Sequence, residues 1–307
     1  MTNVFLLLIS IAFLPGAFPA DNEVYMFSFF QKNGADGLHL AYSEDGLIWE
    51  ALNNNESFLI PKVGNDKLMR DPCIIPGGDG RFHMVWTVSW NERGIGYANS
   101  TDLVHWSEQI YIPVMHHEEK ALNCWAPELY FDAVEDQYLI YWATTIPGRF
   151  PETDALGDNG YNHRMYYTRT RDFIHFSETK LLYDPGFNVI DAVIKKNSGR
   201  YVMFLKDETL KPDPQKNIRF ASSSELYGKY SPASTPITEN WVEGPTAIET
   251  KEGWIVYFDM YTKNKMGAIH SNNLENWTDI SDKIHFPKGT RHGTIFKVGR
   301  SILENLK

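Results

Sequence analysis

Tyr97 to Trp106 reads YANSTDLVHW and Tyr167 to Phe176 reads YTRTRDFIHF: a β run, a short polar turn holding an acid, then a closing aromatic. Three more segments carry the pattern, Tyr42 to Trp49 (YSEDGLIW), Phe220 to Tyr230 (FASSSELYGKY) and Ile269 to Trp277 (IHSNNLENW). Their closing aromatics stand about 47 to 70 residues apart, close to a four-stranded propeller blade of about 40 to 50 residues plus loops. Each copy reads as the third strand of a blade running into its fourth. Short apolar and aromatic runs precede four of them, Phe82 to Trp86, Tyr138 to Trp142, Tyr201 to Leu205 and Trp254 to Phe258, and take the second-strand slot.

Working further outward, innermost strands open at Asp71-Pro72, Glu128-Leu129, Asp191-Ala192, Glu243-Gly244-Pro245 and His292-Gly293. The last has no hairpin after it, whereas the N-terminal runs Val24 to Phe29 and Leu38 to Tyr42 have no inner strand before them. The two ends of the chain are therefore expected to complete one blade. The fold class is all-β, a five-bladed β-propeller closed by N- and C-terminal strands, which removes the exposed sheet edges of an open array. A β-sandwich with recurring hairpins is the alternative architecture.

Composition agrees with this class and narrows the partners. Hydrophobic residues at 43% and charged residues at 22% describe a globular protein, and aromatics at 14% suit strands and surfaces that stack on sugars. The formal charge of -10 repels phosphate backbones, so nucleic acid is not an expected partner. Residues 1–20, MTNVFLLLISIAFLPGAFPA, hold an apolar run from Val4 to Leu14 with Ala17 and Ala20 behind it. That run is short for a membrane span and predicts a signal peptide, hence a secreted or periplasmic protein with no stable membrane span after processing. Residues 21–307 are then one catalytic propeller, expected to act as a monomer. The only two cysteines, Cys73 and Cys124, are too few for a disulfide framework and read as buried thiols.

Five ionisable residues, Asp71, Glu128, Asp191, Glu243 and His292, open the inner strands and should converge at one mouth of the ring. Four acids brought together repel one another unless they bind a cation, share protons or flank a reacting bond. Paired carboxylates suit glycosidic cleavage, because one protonates the leaving oxygen while another activates water. No GxSxG elbow, phosphate-cradling loop or HExxH helix competes.

Arg70-Asp71-Pro72, Trp125-Ala126-Pro127-Glu128, Ile190-Asp191-Ala192 and Glu243-Gly244-Pro245 together resemble glycoside hydrolase family 43, over residues 24 to 300 or so. The resemblance implies an inverting glycosidase with Asp71 as general base, Asp191 as the carboxylate that tunes and orients the acid, and Glu243 as general acid. It also implies oligo- or polysaccharide substrates bearing arabinofuranosyl, xylosyl or galactofuranosyl residues, terminal α-L-arabinofuranosyl foremost. No cofactor is required, although a central cation such as calcium, with His292 beside it or as its ligand, belongs to the same pattern. Where the family's Trp-Ala-Pro segment usually ends in Asp, this chain has Glu128. Arg70, Trp90, Trp125, Glu128, Phe187 and His292 are the candidate substrate contacts. The loop Thr145 to Tyr161 is the longest on the active face and is expected to wall off one end of the cleft. Sucrose and fructan hydrolases, which retain, share the Arg-Asp-Pro motif but add a β-sandwich domain. A noncatalytic carbohydrate-binding propeller is the alternative from another class.

Overall fold

The computed structural model describes residues 23–307; the expected signal peptide lies outside the described residues. Five antiparallel sheets follow one another around an axis. The first complete blade is β4 (Arg70–Pro76), β5 (Phe82–Thr87), β6 (Ile95–Ser100) and β7 (Ile110–Ile112); it follows β1 (Glu23–Phe29), β2 (His39–Ser43) and β3 (Glu50–Ala51) in the chain. The second is β8 (Trp125–Asp132), β9 (Gln137–Thr145), β10 (His163–Thr170) and β11 (Lys180–Tyr183). The third is β12 (Val189–Asn197), β13 (Arg200–Asp207) and β14 (Asn217–Ser223), and the fourth β15 (Glu243–Thr250), β16 (Gly253–Met260), β17 (Lys265–Ser271) and β18 (Thr278–Asp279). The fifth is made by both ends of the chain. β19 (Gly293–Gly299) forms its inner strand and pairs antiparallel with β1 from Glu23↔Gly299 to Phe29↔Gly293. Helix α1 (Arg300–Leu306) then buries Leu303 and Leu306. The expected closure is therefore observed.

The recurring turn has a physical cause. Ser43, Ser100, Thr170 and Ser271 each accept, through the side-chain oxygen, the N–H three residues on. Two residues after each of them, Asp45, Asp102, Asp172 or Asn273 accepts two further backbone N–H groups. The residue between, Gly46, Leu103, Phe173 or Leu274, takes a positive φ that these bonds hold in place. In the third blade the acid is Glu225, one methylene too long for this turn, and Ser223 accepts only the Glu225 N–H at 3.1 Å. That blade has no regular fourth strand; instead Ser231, Ser234 and Ile237 donate singly to β14 carbonyls.

Between blades, one hydrogen bond at each of the five joins ties an innermost strand to the inner or second strand of its neighbour. Ser28 Oγ donates to Pro72 O at 2.6 Å, Ala126 N to Thr87 Oγ1 at 2.8 Å, Ile194 N to Tyr141 Oη at 2.9 Å, Gly244 N to Asp191 Oδ2 at 3.0 Å, and Ile295 N to Thr246 Oγ1 at 3.0 Å. Trp49, Trp86, Trp142, Tyr141 and Tyr257 fill the wedges between sheets. Cys73 and Cys124 are free and buried, as expected, and burial pushes both thiols up.

Ser100→Ala removes the acceptor for two backbone N–H groups at a buried turn and should cost about 1–3 kcal/mol. Ser223→Ala, where the turn is already incomplete, should cost less. Urea denaturation of the two variants measures the difference, and equal losses would contradict this account of the repeat.

Candidate active site

Four of the five inner strands carry a β-bulge where they enter the mouth of the ring, marked by register shifts between Arg70 and Cys73, Trp125 and Glu128, Ile190 and Val193, and Glu243 and Thr246. A bulge bends the strand and re-aims a side chain. At each, one residue has a positive φ: Asp71 (52°), Ala126 (44°), Asp191 (52°) and Gly244 (58°). For the two aspartates this costs about 1–2 kcal/mol each, a strain more often met at functional sites.

The acids therefore do not share one position of the repeat, as their spacing suggested. Asp71 and Asp191 occupy the strained position itself. In the fourth blade a Cβ at that position would lie 2.2 Å from His292 Cγ, so glycine is required and the acid sits one residue earlier, at Glu243. Glu128 falls two residues beyond the strained Ala126 and points below the mouth, 4% exposed, where Thr294 Oγ1 donates to it at 2.7 Å. Burial pushes its carboxyl up.

Asp71, Asp191, Glu243 and His292 line one cavity of about 430 Å³ with Arg70, Thr87, Trp90, Trp125, Lys206, Glu208 and Arg291. Asp71 receives Thr87 Oγ1 at 2.9 Å and lies 3.2 Å from His292 Nδ1. Burial alone would raise the Asp71 carboxyl, but the bond and charge of His292, with Arg70 and Thr87, bring it down to about 2. His292 is buried too, which lowers an imidazole, yet Asp191, Asp71 and Glu243 push it up to about 9. Asp191 is raised to about 6, first by burial and then by Glu243 and Asp71, against the pull of His292 and Lys206. Glu243 lies between two cations, Lys206 Nζ at 3.2 Å from Oε2 and Arg291 Nη2 at 3.2 Å from Oε1.

The strand directly outside supplies the support. Thr87 faces Arg70, Lys206 faces Ile190 and Asp259 faces Glu243 across the sheet. Asp259 is wholly buried, ion-paired with Arg291 Nε, and raised to about 6 by burial and by Glu243. Lys206, Asp259, Glu208 and Arg291 were not among the residues expected from sequence. A charged residue ending an otherwise apolar run, as in YVMFLKD and WIVYFDM, was the signal for the first two.

Arg70, Trp90 and Trp125 line the cavity. The Arg70 guanidinium lies between the Phe30 ring at 4.6 Å and the Trp90 ring at 4.4 Å and donates to Asn33 Oδ1 at 3.0 Å. Trp125 Nε1 donates to Trp90 O at 3.0 Å, and the two rings meet edge to face at 5.5 Å. These rings also line a second, adjoining cavity of about 280 Å³ with Tyr161, His163, Asn188 and Glu208. Burial lowers His163 to about 4, so its ring is neutral there. Glu128 and Phe187, expected as substrate contacts, line neither cavity; Phe187 instead packs under the Arg219 guanidinium at 5.6 Å. The Nδ1 of His292 is committed to Asp71, and among the described residues no group of three His, Cys, Asp or Glu is arranged to hold an ion.

Five blades with three inner-strand carboxylates at one mouth are the frame of a glycosidase, and comparison with known families agrees. Residues 21–304 match the family described as "Probable glycosyl hydrolase domain", related to glycoside hydrolase family 43, and the chain belongs to it. An α-L-arabinofuranosidase of Bifidobacterium longum is 24% identical over 200 residues, covering 58% of this chain and 19% of that protein. The chain thus matches about a fifth of that relative's length. An endo-1,4-β-xylanase structure from Bacteroides thetaiotaomicron has the same fold, with a TM-score of 0.59 at 12% identity over 89% of this chain and 94% of that one. So does an α-L-arabinofuranosidase from Clostridium thermocellum, with 0.57 at 13% identity over 85% and 90%.

A protonated His292 contributes stability that is complete below pH 6.5 and is lost as the pH rises through about 9. Asp191 and Asp259, raised to about 6, have finished titrating before most of that window. The melting temperature should therefore fall between pH 7 and pH 9 in the wild type. His292→Gln should be less stable at pH 6 and flatter across the window, which a pH series of thermal melts reads directly.

Proposed function

We propose that this protein is an inverting glycoside hydrolase that removes terminal α-L-arabinofuranosyl, or related β-xylosyl or β-galactofuranosyl, residues from plant-type polysaccharide side chains. The observation that carries the reading is the convergence of Asp71, Asp191 and Glu243 on one cavity that two tryptophans also line. Glu243 gives its proton to the glycosidic oxygen as the bond to the anomeric carbon breaks, and the bonding electron pair stays on that oxygen. A water adds to the anomeric carbon from the opposite face while Asp71, ionised at all working pH values, takes its proton. Asp191 accepts the Gly244 N–H and so fixes the backbone beside Glu243. Its charge also disfavours a second negative charge on the acid. Protonating either oxygen of Glu243 displaces Lys206 or Arg291 from it, so the proton and the cations compete for one carboxyl.

Action at chain ends is supported by the second-blade loop. Tyr161 Oη donates to Asn91 Oδ1 of the first blade at 3.1 Å, and Leu156 O accepts Leu210 N of the third at 2.8 Å. The loop thus spans three blades, and its Asp158, Asn159 and Tyr161 line the adjoining cavity. The names of the relatives weigh toward an arabinofuranosyl substrate. Among the described residues no helix is long and apolar enough to cross a membrane. Export to the periplasm or medium, where polysaccharide is met, is the matching proposal.

A panel of aryl glycosides of arabinofuranose, xylose and galactofuranose tests the activity. Glu243→Gln should lose about 10²–10⁴-fold on substrates with poor, alcohol-like leaving groups and far less on activated aryl substrates. Asp71→Asn should harm both alike; the opposite pattern would reverse the assignment. Proton NMR of the first-formed anomer should show inversion. Retention would favour the fructan-hydrolase mechanism, and no hydrolysis of any glycoside that binds would favour a noncatalytic carbohydrate-binding propeller.

A further inference from the structure

Lys206 stands at the end of β13, 2% exposed, with its ammonium 3.2 Å from Glu243 Oε2, 2.6 Å from Glu208 Oε2 and 5.0 Å from the centre of the Tyr261 ring. Glu208 in turn is paired with Lys216, itself 4% exposed. Charges therefore alternate along one line, Lys216, Glu208, Lys206, Glu243, in which both lysines are buried, and the line ends on the proposed acid. Burying two lysines costs several kcal/mol of desolvation each before any pairing, and a methionine would fill similar space without that cost. The other charged or titratable groups near Glu243 are Arg291 and His292 ahead of β19, Asp191 on β12, Asp71 on β4, Asp259 on β16 and Tyr261 just beyond it. Arg291 is already drawn toward Asp259, and His292 toward Asp71. Lys206, like Arg291, is shared between Glu243 and a carboxylate outside the proposed catalytic set, and of the two it is the more deeply buried.

We propose that Lys206 is a positioning residue that holds the Glu243 carboxyl in place and, tempered by Glu208 drawing on the same ammonium, sets the pH at which Glu243 takes up its proton. The proposal rests on the assignment of Glu243 as the general acid. With Glu208 present, the charge of Lys206 is divided between two carboxylates and Glu243 regains a proton more easily. Without Glu208 the whole charge falls on Glu243. Removing either neighbour should therefore move Glu243 in opposite directions, a pattern that simple loss of packing does not produce. Burial opposes the charge on Lys206, but Glu243, Glu208 and Asp191 outweigh it and keep the ammonium protonated.

The test is carboxyl ¹³C NMR titration of the full chain labelled at glutamate, with the Glu243 resonance assigned by its absence in Glu243→Gln. Lys206→Met should raise the Glu243 midpoint by about one pH unit or more, as expected for losing an opposite charge in contact. Glu208→Gln should lower it, and Lys206→Arg should leave it near the wild-type value. The basic limb of kcat/KM on a substrate with a poor leaving group should move with the midpoint. An unmoved midpoint in Lys206→Met, or shifts in the same direction in the Met and Gln variants, overturns the proposal and leaves Arg291 as the governing cation. If Lys206→Met does not fold, Glu208→Gln decides alone: a downward shift supports the proposal and an unmoved midpoint overturns it. Because the titration needs no turnover, a wild type that cleaves no glycoside defeats the functional assignment without obscuring this result.

Discussion

Everything at the mouth of this molecule depends on the pairing of β1 with β19, by which strands from opposite ends of the chain make one blade. Each innermost strand is only one side of a wedge, and its position is fixed by the neighbours on both sides. If the fifth blade opened, Ser28 would lose Pro72 and Ile295 would lose Thr246. The circle of interblade hydrogen bonds would then be cut at two of its five joints. His292 is one residue ahead of β19, so the same pairing delivers its imidazole to Asp71 and against Gly244. Closure and the geometry of this cavity are one constraint, because the acid cluster can be assembled only when the ring is complete.

The cost of assembling that cluster is distributed over the fold. Three carboxylates and several cations in a half-enclosed cavity are stable only as alternating charges, and the strands outside the inner ring supply the alternation. Thr87, Lys206 and Asp259 each occupy the cavity-side end of a second strand, opposite an inner strand at its bulge. Asp71 and His292 form the strongly polarised pair, with the aspartate held low and the histidine high. Asp191 is held high. Two aspartates with the same backbone conformation in equivalent places of their blades thus differ in proton affinity. What surrounds them makes the difference: Asp71 has a histidine in contact, whereas Asp191 has a backbone N–H and acidic neighbours.

Much of this was legible in the sequence by itself. The recurring polar turn is a local hydrogen-bond pattern, complete within a few residues, so its five copies could be read directly; that Glu225 leaves the third-blade copy incomplete emerged only in the structure. Strand alternation, blade number and the unmatched ends followed from that repeat. The motifs around Asp71, Asp191 and Glu243 pointed to three carboxylates that line one cavity, each of which is, or adjoins, the residue of positive φ at its bulge. What tertiary structure alone decided was offset and reach. The collision between a side chain at position 244 and His292, which moves the fourth-blade acid to Glu243, involves residues on different blades. Glu128 looked equivalent to the other acids in sequence, yet the register of β8 carries it below the cavity to Thr294. Lys206, Glu208, Asp259 and Arg291 join the site through contacts between strands far apart in the chain, and sequence spacing carries no record of such contacts because they exist only once the ring has closed.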